Sequence, residues 1–292
     1  MTLAANWLTF LALFALVGAA GARSLFARLE ASYAGSEAWP EADTLSKRIG
    51  AAAAIGLLVA AAFRLLAQAG SFLDPGESLG LGTIRAVLST TWGRGWWLQV
   101  GSAVLAWLGT MGGPALSLVG AVIVSATLPL TGHAREAPTG PVIGVALSAM
   151  HILAGALWLG TLAVALFSWY HSDPPERSGR RHARLARLIG NFSPLALVCA
   201  FVVMATGAAE ALWLVGSIRA LRETVYGHRL VLKLALLILL LGVGAYNWRV
   251  VRPQLGGRGA SRRLLRASAV ELTIALLILG VTASLVALPT GE

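Results

Sequence analysis

Long apolar runs alternate along this chain with short polar intervals that are mostly basic. Eight runs stand out, at 5–22, 49–69, 96–110, 114–130, 141–169, 192–215, 226–250 and 267–288. A helix needs about 20 apolar residues to cross a hydrocarbon core. All eight runs approach or exceed that length, 96–110 being the shortest. The pattern predicts an all-α, polytopic membrane bundle of about eight transmembrane helices. Met111-Gly112-Gly113-Pro114 breaks the chain sharply between the third and fourth runs and predicts a tight helical hairpin there. The interval 71–95 is mixed. Its Leu79, Leu81, Ile84, Val87 and Leu88 predict a short interfacial helix lying against the headgroups. The first run has no basic residue ahead of it and outlasts a signal-peptide core, so a retained helix is expected.

Composition agrees. Hydrophobic residues make up 57% of the chain and charged residues 12%, about half the charged share of a soluble domain. No polar interval is longer than 23–48, which leaves no room for a large water-soluble domain. The formal charge of +10 does not point to nucleic acid, because the basic residues lie between the apolar runs. There they face anionic lipid and set topology. The intervals 23–48, 112–113, 171–191 and 249–266 hold fifteen Lys and Arg; the alternate set, 71–95, 131–140 and 216–225, holds five. The positive-inside rule then puts the richer set in the cytoplasm and both termini outside. An even number of crossings is what that arrangement requires. Cys199 is the single cysteine, so no internal disulfide forms.

The candidate chemistry centres on His151, about 15 Å along the fifth run. An ionisable side chain at that depth is costly and marks a functional interior. Gly155 and Trp158 follow on the same face at i+4 and i+7, and Ala154 and Gly155 admit a neighbouring helix. His133, at the outer end of the fourth run, lies about 10 Å outward of His151, a spacing suited to two stations of a relay. Glu210, His228 and Lys233 share the outward bias, with Glu210 and Lys233 expected to pair in the low dielectric. Arg64 is expected to snorkel outward. Glu271, in the inner half of the last run, is a candidate ion partner or a structural pair for Asn247 or Arg249. Met150, Cys199 and Met204 are soft donors whose burial needs no metal to explain it. His171 and His182 read as solvated loop residues. No Walker-type loop, Cys-x-x-Cys, His-Glu-x-x-His or Gly-x-Ser-x-Gly is present, so neither ATP drive nor an enzymatic role is expected.

The run from His151 through Trp158, Gly160 and Leu162 resembles the CopD family of bacterial copper resistance and copper uptake membrane proteins. Gly132-His133-Ala134, Phe192-Ser193-Pro194, Thr206-Gly207, Tyr226-Gly227 with Lys233, and Asn247 to Pro253 resemble it in the same order. The likeness is carried by 90–253. It suits a single transmembrane domain over 1–292, with N-terminal helices before residue 95 and a family-like core over 96–288. The resemblance implies a multi-pass protein of the bacterial inner membrane that takes copper from the periplasmic side, often beside a small copper-binding periplasmic protein. It implies His133 and His151 as copper ligands. His228 joins them as a candidate, standing where the family pattern has an arginine. Two other roles stay open: a delivery partner that binds copper without transporting it, and a cytochrome b-like protein holding one haem between two imidazoles.

Overall fold

The computed structural model describes residues 2–32, 39–74, 77–172, 178–215, 218–255 and 259–288. Among them every regular element is a helix. In chain order these are α1 (Thr2–Ser32), α2 (Pro40–Gly70), α3 (Leu81–Ser89), α4 (Thr91–Met111), α5 (Pro114–Thr127), α6 (Pro141–Gly155), α7 (Thr161–Ser172), α8 (Ser178–Val215), α9 (Ile218–Glu223), α10 (Val225–Tyr246) and α11 (Ala260–Val286). A π turn, Ala156–Gly160, joins α6 to α7 into one long rod, and another, Asn247–Val251, extends α10.

Proline opens α2, α5 and α6 from within their first turn, where its missing N–H costs nothing. The Thr90 and Thr224 hydroxyls cap α4 and α10 by accepting from the Gly93 and Gly227 amides. The hairpin expected at 111–114 is present, and the interfacial segment forms as α3 with Leu81 exposed.

Seven rods are long and apolar enough to cross a membrane: Thr2–Ser32, Pro40–Gly70, Pro114–Thr131, Pro141–Ser172, Arg181–Leu212, Val225–Gln254 and Ala260–Val286. This is a multi-pass membrane protein. The run at 96–110 forms α4, which packs against α2 and α5 but is not among the seven. Helices also outrun their apolar stretches. α1 continues to Ser32 and α2 begins at Pro40, so Arg23, Arg28, Lys47 and Arg48 sit on helix rather than in a loop. Packing sustains the extensions: Phe26 stacks on Trp39 at 5.2 Å, both buried, with Leu29, Leu185 and Leu188 in the same cluster.

α1 is the central helix. Of its most apolar stretch 61% is buried within the bundle, against 6% for Val225–Gln254, which makes the α10 rod peripheral. α1 packs on α2, α5, α7, α8 and α11 and crosses the π turn at backbone contact. A Cβ added to Gly18 would lie 2.3 Å from the Gly160 carbonyl, and one added to Gly160 would lie 2.2 Å from the Phe14 carbonyl oxygen. Close to this seam, Arg23 is buried and fully engaged. Its Nε donates to Asp43 Oδ1 at 2.9 Å, and its Nη atoms reach Ser117 Oγ (2.6 Å), the Thr110 carbonyl (3.1 Å) and the Gly112 carbonyl (2.9 Å). One guanidinium thereby ties α1 to α2 and to the α4–α5 hairpin.

Overpacking the seam is the most direct way to break this architecture. Gly18→Val is expected to lose on the order of 3 kcal/mol of stability, seen as a lowered thermal midpoint of the detergent-solubilised protein. Gly101→Ala, whose new methyl meets nothing within 4 Å, is expected to leave the midpoint unchanged or slightly raised. Equal midpoints for the two variants would mean that the crossing does not hold the bundle together.

Candidate functional site

A cavity of about 580 Å³ opens between α1, α6, α8, α10 and α11, reaching the segment that follows α5. Its walls are mostly apolar. Among the described residues the polar groups in it are Asn6 and Thr9 from α1, Arg64 from α2, Ser148 and His151 from α6, Glu210 from α8, Tyr226 and Lys233 from α10, and Thr282 from α11. α6 and α8 run antiparallel and meet in two successive rungs. On one, His151 Nδ1 lies 3.0 Å from Thr206 Oγ1. One turn away, Ser148 Oγ donates to Glu210 Oε1.

The first rung assigns the tautomer of His151. Thr206 Oγ1 lies 2.6 Å from the Val202 carbonyl oxygen, four residues back on its own helix. A carbonyl cannot donate, so the single hydroxyl proton is committed to that contact. Toward the imidazole Thr206 is therefore an acceptor, and Nδ1 carries the ring proton. Nε2 keeps its lone pair, the form in which histidine binds a metal. The ring also needs room on the α8 side. A Cβ at position 207 would lie 3.0 Å from His151 Cε1, so Gly207 is what lets the imidazole lie against that helix. Thr206-Gly207 was legible in the sequence as a motif, but its two roles are set by the α6–α8 pairing.

Other expectations fare differently. Trp158 does not continue the His151 face. The π turn shifts the register after Gly155, so Trp158 is buried in the core with Phe26 and Leu162, and Gly160 lies against α1. Arg64 does not snorkel: it donates to Gln99 Oε1 at 3.0 Å and Thr131 Oγ1 at 2.6 Å, because both acceptors lie within reach inside the bundle. Glu210 takes its hydrogen bond from Ser148. It shares the cavity with Lys233, but among the described residues no ion pair joins them. Glu271 is buried beside Asn247, which donates to it, and its carboxylate lies over Gly244, away from the cavity. Met204 lines the cavity, while Cys199 is buried in the core and Met150 is exposed. His171 is exposed and contacts its own helix at the Phe167 carbonyl, and His182 is exposed too.

The three candidate histidines occupy different settings. His151 lines the cavity. His228 is exposed on the first turn of α10, between the cavity-lining Tyr226 and Leu230. His133 opens a 3-10 turn, His133–Glu136, and its flanking Gly132 and Ala134 line the cavity; its side chain lies outside the described residues. Among the described residues no three His, Cys, Asp or Glu side chains converge as a metal site.

Two family models match the chain, Copper resistance protein D over residues 186–285 and the Copper resistance protein D-like N-terminal domain over residues 1–141. The chain belongs to the CopD family. The two matches are consecutive and leave 142–185, which holds His151, between them. The N-terminal match includes the helices before residue 95. The chain is also similar to the copper transport protein CutJ of Bacillus subtilis (strain 168), with 27% identity over 162 residues. That alignment covers 55% of this chain and 28% of the relative, so the chain spans well under a third of that protein's length. No solved structure matches.

The tautomer assignment has its own test. In protein carrying ¹⁵N-labelled histidine, His151 is expected to show a protonated Nδ1 and a bare Nε2. Thr206→Val is expected to convert that signal to a mixture of tautomers. A signal unmoved by Thr206→Val would mean that another group orients the ring.

Proposed function

We propose that this chain carries copper across the bacterial inner membrane, taking the ion from the periplasmic side into the cavity where His151 presents Nε2. The observation that supports this most is the imidazole itself. It is held with Nδ1 protonated and the Nε2 lone pair bare at the wall of a large cavity, in a chain of a copper-handling family. Met204 offers a thioether in the same cavity, and thioether with imidazole suits copper(I). His133 stands in this reading as an outer station, supported by the cavity-lining residues on either side of it, and His228 as a second one at the rim. Eight crossings with both termini periplasmic remain our reading of the topology. α4, 21 residues long, counts as the eighth crossing, and the fifteen-to-five bias of basic residues sets the orientation. A periplasmic copper-binding chaperone is the proposed donor, and the surrounding lipid a further partner.

We treat the protein as a carrier and not an enzyme. The membrane potential drives an inward cation by about 2.3 kcal/mol per charge per 100 mV.

Uptake of copper into proteoliposomes under an inside-negative potential tests the reading. His151→Ala is expected to abolish accumulation, while His171→Ala, a change at an exposed residue, leaves it intact. Full uptake by His151→Ala would rule out the route. Copper bound by the parent without any uptake would make the chain a delivery partner instead.

A further inference from the structure

Among the described residues, Arg64, Glu210 and Lys233 are the charged side chains that line the cavity, and they sum to a formal +1. Arg64 is held by Gln99 and Thr131, and Glu210 by Ser148. Lys233 differs: among the described residues no hydrogen bond or ion pair engages its ammonium. It nonetheless lines the same cavity as Glu210 and His151. A free ammonium on a flexible four-carbon stem, facing a carboxylate that keeps acceptor capacity after one hydrogen bond, can move toward that carboxylate or away from it.

The site proposed for copper therefore already contains a cation. Resting on that proposed function, we infer that Lys233 is a tethered resident cation that competes with the cargo ion for the charge of Glu210. With no cargo bound, the ammonium balances the charge of the carboxylate from across the same cavity, without forming an ion pair with it. When a copper ion arrives, His151 Nε2 supplies a coordinating nitrogen and Glu210 supplies the compensating charge, and Lys233 withdraws along its stem. Its return to Glu210 then weakens the hold on the ion and favours release. A pathway needs this balance, since a site must bind well enough to admit an ion and weakly enough to let it leave. No covalent or redox step is involved.

The inference separates affinity from throughput, which a merely structural lysine would not do. Copper(I) affinity of the full chain in detergent, measured by competition with a chromophoric chelator, is expected to tighten by at least about tenfold in Lys233→Leu, which removes the charge without adding a copper donor, the scale of one charge pair felt through a protein interior. Uptake by the same variant in proteoliposomes is expected to fall. Lys233→Arg, which keeps the charge, should bind as the parent does. Lys233→Leu should no longer tighten binding when combined with Glu210→Gln. Lys233→Gln is read in the same way where the leucine variant fails to insert. Unchanged or weaker copper binding in both neutral variants, with His151-dependent binding intact in the parent, overturns the resident-cation role alone. Absence of any His151-dependent copper binding in the parent overturns the proposed function and this inference together.

Discussion

The bundle depends on one crossing, where the backbone of α1 at Gly18 meets the π turn at Gly160. Between membrane helices there is little hydrophobic drive, because lipid tails are as apolar as leucine. Association rests instead on close packing and on hydrogen bonds made inside the bundle. Glycines facing each other let two backbones come within van der Waals contact over a full turn. The π turn has a second effect. It inserts a register shift, so the α6 half of the rod turns Ser148 and His151 toward the cavity while the next half buries Trp158 and Leu162 in the core. Single-turn π segments of this kind commonly mark functional sites, and here the consequence is geometric: one rod serves both the packing and the cavity.

Polar side chains inside the bundle fall into two groups. Arg23, Asp43, Ser117 and the hairpin carbonyls form a satisfied network, and Ser46 with Ser168 (2.9 Å) and Ser102 with Thr127 (2.8 Å) are similarly paired. These tie the N-terminal helices to their neighbours. The cavity holds the other group, in which, among the described residues, no hydrogen bond engages Nε2 of His151 or the ammonium of Lys233. Since an unpaired polar group in hydrocarbon is expensive, such groups belong where a ligand or water can reach them. The peripheral position of the α10 rod, which brings Tyr226 and Lys233 to the cavity while burying little of itself, fits that division.

Much of this protein was legible in the chain. The apolar runs fell on helices, the glycine-proline break on a hairpin, and the intramembrane histidine on the wall of the main cavity. These are local properties: the cost of moving a segment into lipid is a sum over its own residues, and hydropathy measures that sum directly. The family likeness reached further, marking Thr206-Gly207 before any role for it was apparent.

What the chain did not disclose were relations between segments. The extension of α1 and α2 past their apolar runs rests on Phe26 and Trp39 finding each other. The inward turn of Arg64 rests on Gln99 and Thr131, 35 and 67 residues away. The tautomer of His151 rests on a hydroxyl 55 residues downstream, and its space on the glycine beside it. The sequence by itself determined which segments are apolar enough to form long membrane helices, and that His151 lies within one of them. The tertiary structure alone decided which face each helix turns inward and which side chains meet there, because that register is set by close packing between helices and not by the transfer energy of any one of them.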